Sequence, residues 1–145
     1  MSVSKIVVDS DVFLDHLTHA VKGKTRPSML RRLMSGFFCY TTVFNAIELF
    51  SLCRTGREIE AVENSMHAVK VLGLNARGAK RIGPMLRLAR RARNRDLDIL
   101  IAGLCIESRL PLVTNFPHRY RGMKQLRVMP VRQLLRHARL PSGEI

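Results

Sequence analysis

Lys5-Ile6-Val7-Val8-Asp9-Ser10-Asp11-Val12-Phe13-Leu14 is the stretch on which the fold turns. Ile6, Val7 and Val8 form a continuous β-branched run, the pattern of a strand buried on both faces, as in a parallel sheet. The run stops on an acid, Asp9. Val12, Phe13, Leu14 and Leu17 then follow a helical period, with Ser10 or Asp11 as cap and Gly23 as the close. Strand, acid, helix is the opening of an α/β unit.

The alternation continues outward. Pro27 opens a helix over 28–35, and 37–41 reads as a strand. Thr41 or Thr42 caps a helix carrying Val43, Phe44, Ile47, Phe50 and Leu52. An amphipathic helix is expected over 57–69 and a short strand over 69–74. Asn75 caps a basic helical stretch to Arg95 that Pro84 should kink. Asp96 reads as the cap of an apolar helix over 98–108. Strands over 110–113 (ending at Thr114-Asn115) and 126–129, then a helix over 131–137, complete the pattern, and 140–145 reads as a frayed tail. Strands alternating with helices predict one α/β domain over 1–145 with a parallel sheet.

Against 25 Lys and Arg there are 11 Asp and Glu, a net charge of +14 in 145 residues. Such a balance points to a polyanionic partner, nucleic acid first, although a basic surface can also follow from an Arg-rich proteome. Cys39, Cys53 and Cys105 form no CxxC and leave an odd thiol, so neither a disulfide framework nor a zinc site is indicated. No signal peptide or membrane span is legible, and a cytoplasmic protein with no membrane partner is expected.

Three of the few acids interrupt apolar runs: Asp9, Glu48 in Ala46-Ile47-Glu48-Leu49-Phe50, and Asp98 in Leu97-Asp98-Ile99-Leu100. Desolvating a carboxylate costs several kcal/mol unless it is paired or holds a metal. Three such sites in a cationic chain suggest an acidic metal pocket inside a basic shell, the electrostatic layout of a nuclease. Each acid also has a plainer reading: Asp9 as a helix cap, Glu48 on an exposed helix face, and Asp98 as a first-turn acid favoured by the helix dipole.

Val7-Val8-Asp9-Ser10-Asp11-Val12-Phe13-Leu14-Asp15, Thr41-Thr42-Val43-Phe44-Asn45-Ala46-Ile47-Glu48-Leu49, Asp98-Ile99-Leu100-Ile101-Ala102-Gly103 and Leu112-Val113-Thr114-Asn115 together resemble, in order and spacing, the motifs of the PIN-domain family. Within it the chain is most similar to the toxin ribonucleases of VapBC toxin–antitoxin pairs, from Lys5 to His137. The resemblance implies a three-layer α/β/α domain with a central parallel sheet of four or five strands. It also implies an endoribonuclease dependent on Mg²⁺ or Mn²⁺, with Asp9, Glu48 and Asp98 as catalytic metal ligands, a homodimer, and inhibition by a small antitoxin protein. The family commonly supplies a fourth acid after the Thr114 strand. Here Thr114-Asn115-Phe116-Pro117-His118-Arg119-Tyr120 contains none, leaving Asn115 as a neutral ligand, or Asp11 or Asp96 to compensate.

Ser10 and Thr114 are auxiliary candidates for orienting a water or a carboxylate. The basic segments 77–95 and 118–127 suit phosphate contact. Arg119, Arg121 and Lys124 are favoured for RNA because they follow the Thr114 strand, with Phe116 and Tyr120 placed for base stacking. His16, His19, His67 and His137 have no ligand spacing and read as structural. Two other readings stay open. Asp9-Ser10-Asp11-Val12 fits the nucleophile and acid/base of a haloacid-dehalogenase-like phosphotransferase, and a non-catalytic RNA- or protein-binding domain fits the missing acid.

Overall fold

The Lys5–Val8 strand, β1, lies at the middle of the sheet, where its apolar run meets a strand on each edge and a helical layer on each face. The structure, a computed structural model, describes residues 3–137. The other strands are β2 (Phe38–Thr42), β3 (Lys70–Leu72), β4 (Leu112–Thr114) and β5 (Val128–Pro130). All pairings are parallel, in the order β3-β2-β1-β4-β5. Pro130 ends the edge strand β5, where a missing N–H costs no ladder bond.

Successive β1 side chains point to opposite faces and so belong to different cores. Ile6 and Val8 pack with Val12, Phe13, Leu30, Leu33 and Val113, beneath α1 (Ser10–Val21), α2 (Met29–Gly36), α4 (Gly56–Ser65) and α7 (Val131–His137). Val7 packs on the other face with Ile99, Ala102, Cys105 and Leu112, beneath α5 (Ala76–Arg91) and α6 (Asp96–Ser108). The helix α3 (Val43–Ser51) gives Leu49 to the first core and Phe44 to the second. The architecture is thus α/β/α around a parallel sheet of five strands. Gly103 lets α5 and α6 approach closely: a Cβ there would sit 3.0 Å from Ile82 Cγ2.

Several boundaries differ from expectation for identifiable reasons. α1 begins at Ser10, so Asp9 occupies the flanking position, and its Oδ1 accepts the Ser10 N–H at 2.9 Å. α2 begins at Met29 rather than 28, because Ser28 is its cap and accepts the Arg31 N–H at 3.2 Å. α4 stops at Ser65, and β3 is limited to three residues. α5 is capped by Asn75 as expected, runs through Pro84 and ends at Arg91 rather than Arg95. Arg93 then turns left-handed (φ 63°) and Asn94 Nδ2 donates to the carbonyls of Arg119 and Arg121, so these residues brace a loop instead of extending the helix. Asp96 does not cap α6: it lies in the first turn, and Arg95 is the flanking residue. The expected loop after β4 contains a 3₁₀ turn, Pro117–Tyr120. The 140–145 tail lies outside the described residues.

Candidate active site

The chain leaves β1 toward β2 and β3 on one side and returns to β4 and β5 on the other. The switch point therefore falls between β1 and β4, where open α/β sheets bind ligands beyond the strands' carboxyl ends. Asp9 follows β1 and Thr114 ends β4 at this crevice, and both are buried.

Asp9 is 1% exposed and held from three directions. Oδ1 accepts the Ser10 N–H and Asn45 Nδ2, each at 2.9 Å, and Oδ2 accepts the Tyr120 hydroxyl at 2.9 Å. Asn45 is itself fixed: its Oδ1 accepts the Thr42 N–H and hydroxyl in a capping box at the start of α3, while Nδ2 also donates to Ser10 Oγ at 2.8 Å. Burial first, then the charge of Asp9, drives the Tyr120 phenol far above its ordinary value, so it remains a donor.

Asp98, 3% exposed in the first turn of α6, receives two guanidiniums. Arg95 donates Nε to Oδ2 at 3.0 Å and Nη2 to Oδ1 at 2.8 Å, and Arg119 Nη2 reaches the same Oδ1 at 2.9 Å. Burial nevertheless raises the Asp98 pKa, with the Arg95 hydrogen bonds opposing and the charges of Asp9 and Glu48 adding to the rise. Glu48 joins through the same arginine, its Oε2 lying 3.8 Å from Arg95 Nη2. The three carboxylates are electrostatically coupled, with Arg95 shared by two of them.

Of the two acids expected to compensate at β4, Asp11 lies against the end of the strand. Its Oδ1 accepts the Thr114 hydroxyl at 3.1 Å and its Oδ2 the Asn115 N–H at 2.9 Å. Burial, then Asp9, raises its pKa, opposed by these hydrogen bonds. Asp96 is elsewhere, paired at the surface with Arg90 at 2.6 and 2.9 Å. Tyr120 is buried against Asp9 and offers no face to a base, whereas Phe116 is 45% exposed. Arg119 is committed to Asp98, while Arg121 and Lys124 are exposed and make no ion pair among the described residues. His16 bonds Ser28 Oγ at 2.7 Å and His19 contacts Asp15, as structural residues would.

The donor set is hard oxygen, the chemistry that suits Mg²⁺ or Mn²⁺. Among the described residues no three Asp, Glu, His or Cys side chains converge tightly enough to hold an ion in this conformation. Arg95 and Arg119 neutralise Asp98 instead, so a cation there must displace guanidiniums, of which Arg95 is 58% exposed and anchored only at its tip.

Neither a protein-family model nor a curated protein matches the sequence. Solved structures do. A chain of the DNA-bound VapBC from Salmonella typhimurium gives a TM-score of 0.68 at 18% identity, covering 90% of this chain and 99% of that one. VapBC2 from Rickettsia felis, bound to a promoter DNA fragment, gives 0.68 at 12% identity, covering 87% and 98%. FitAcB from Neisseria gonorrhoeae gives 0.62 at 14% identity, covering 87% and 97%. At such identities the likeness is one of fold: the chain has the PIN-like fold. Among the described residues no helix is long and apolar enough to cross a membrane.

Proposed function

We propose that the protein is a Mg²⁺- or Mn²⁺-dependent endoribonuclease, the toxin of a toxin–antitoxin pair, acting in the cytoplasm as a homodimer restrained by a small antitoxin protein. The observation that carries this reading is the pair of buried carboxylates, Asp9 and Asp98, coupled to Glu48 at the switch point of the sheet. The likeness in fold to chains of VapBC complexes supports it.

Asp9, Asp98 and Glu48 would hold the ion, which supplies charge neutralisation at phosphorus and a water of lowered pKa. The chain's own residues prepare the rest. Asn45, the Ser10 N–H and Tyr120 fix the Asp9 carboxylate so that it cannot rotate away. Asp11, Thr114 and Asn115 close the β4 side of the crevice, and Asp11 would stand in for the fourth acid. With Asp98 engaged elsewhere, Arg95 and Arg119 are free to take phosphate oxygens, and Arg121 and Lys124 extend the positive surface on the α5 side. The phosphotransferase reading is disfavoured because Asp11 is turned onto β4 rather than left free as an acid/base.

The test is cleavage of RNA with Mn²⁺ or Mg²⁺ by wild type and by Asp9→Asn, Glu48→Gln and Asp98→Asn, alongside calorimetric Mn²⁺ titration. Each substitution should abolish cleavage and weaken Mn²⁺ binding while the chain stays folded. Cleavage at wild-type rates in all three, with contaminating nuclease excluded, overturns the reading.

A further inference from the structure

On the sheet face opposite α5 and α6, a concave groove runs between α2 and α7. Two adjoining cavities of about 310 and 580 Å³ share Asn115, Val131, Arg132 and Arg136. The floor is apolar, from Met29, Val131 and Leu135, and the walls carry Arg32, Arg132 and Arg136. Met29 and Arg32 also line a cavity of about 660 Å³ formed by the α1–α2 loop, where Lys22, Lys24 and Arg26 continue the positive charge beside one acid, Asp15.

Three features combine at this groove. First, its arginines are unspent: among the described residues Arg32, Arg132 and Arg136 make no ion pair, and no acidic residue lines the two α7 cavities. On α5, Arg81 and Arg90 are held by Glu107 and Asp96, while Arg77, Arg87 and Arg91 likewise make no ion pair among the described residues. Second, the groove leads to the crevice. Asn115 lies in it, one residue beyond β4, with its N–H on Asp11 and its Nδ2 on Met29 Sδ at 3.4 Å. Third, Phe116 is 45% exposed and adjoins in sequence the lining residues Asn115 and Pro117, which puts an aromatic ring next to the groove though not in its lining. Cationic walls tracking a backbone beside an exposed aromatic suit a single strand.

We propose that this α2–α7 groove binds the phosphate backbone of single-stranded RNA and guides one flank of the strand to the Asp9–Asp98 crevice. This rests on the nuclease reading for its purpose but not for its measurement. Binding of a fluorescein-labelled oligo-uridine is followed by anisotropy in EDTA across a salt series. The wild type is compared with Arg32→Gln/Arg132→Gln/Arg136→Gln, with the same positions changed to Lys, and with Arg77→Gln/Arg87→Gln/Arg91→Gln on α5. Melting curves confirm folding, and the Lys variant keeps the test decisive if the Gln variant melts.

Single-strand binding loses about 0.7 in the log–log salt slope per phosphate contact, so the groove Gln variant should flatten the slope by about 2 and weaken binding at least tenfold. The Lys variant should retain the slope, and the α5 variant should change it less than the groove variant. An unchanged slope in the groove Gln variant overturns the proposal, including the case where that variant loses only an acidic peptide, as does loss of the slope in a folded Lys variant. RNA binding lost in the groove variant of a protein that cleaves no RNA would sink the nuclease reading and leave the groove standing.

Discussion

Replacing Arg95 by Met keeps the aliphatic stem and removes the guanidinium that Asp98 and Glu48 share. Arg95 gives Asp98 two hydrogen bonds, at 2.8 and 3.0 Å, and lies 3.8 Å from Glu48. Charge-assisted bonds of this kind contribute about 1.5–3 kcal/mol when shielded from water. The Arg95 side chain is 58% exposed, so solvent screening reduces the figure to about 1 kcal/mol. Without cation, Arg95→Met should lower the melting temperature by about 3 °C at neutral pH. Cation binding should move the other way: removing a competitor worth about 1 kcal/mol should tighten Mn²⁺ binding about fivefold. The assay pairs thermal melts in EDTA with calorimetric Mn²⁺ titration of the same preparations. A merely structural arginine would lower stability and leave cation affinity unchanged or weaker, and that result would refute the competition between Arg95 and the ion.

Tyr120→Phe removes a buried hydroxyl from the Asp9 carboxylate and should cost about 1–3 kcal/mol, read as a lowered urea midpoint with unchanged slope. An unshifted midpoint would mean that water replaces the hydroxyl without loss. Asn45→Ala breaks the capping box and the bond to Asp9 together, so it should destabilise by about 2 kcal/mol or more, whereas Asn45→Asp should lose activity by placing a second charge against Asp9. Asp11 and Asp98 both have folded pKa values above the ordinary 3.8, so the native chain holds more protons than the unfolded chain above that pH. Their contribution to stability is then fully present below pH 3.8 and is lost as pH rises through the raised values. Asp11→Asn, whose Oδ1 can still accept the Asn115 N–H, should flatten the fall in melting temperature from pH 4 to 7 in EDTA, and an identical pH profile would contradict the assignment.

The layered fold was legible because β1 and β4 are continuous apolar runs and the helices between them carry a helical period with recognisable caps at Thr42 and Asn75. Boundaries failed where a side chain was claimed from a distance. Nothing local reveals that Asn94 will bind carbonyls 25 and 27 residues away and so end the basic helix early. The acids Asp9 and Asp98 stood out because apolar neighbours make a charged residue expensive. Their partners did not: Asn45 is 36 residues from Asp9 and Tyr120 is 111 residues away, beyond the reach of any periodicity. Asn45 left one trace, three residues after Thr42 in capping-box spacing, which explains its bond to Thr42 but not its grip on Asp9.

Arg95 was the hardest to recognise, although it stands only three residues before Asp98, because it ends a run in which arginine is the common residue and nothing local separates one guanidinium from another. The fold makes that separation through proximity to buried acids. Arg95 and Arg119 answer Asp98, and Arg81 and Arg90 answer acids at the surface, so these four are largely neutralised where they stand. Arg32, Arg132 and Arg136 have no such partner among the described residues and keep their full charge along a groove that opens at Asn115. A net charge of +14 therefore does not act as a uniform cationic coat. Two of the arginines, Arg95 and Arg119, hold the acidic crevice together, and three more, Arg32, Arg132 and Arg136, line a groove that leads to it. It follows that substituting the first group should change stability and cation affinity, and substituting the second should change the salt dependence of nucleic-acid binding.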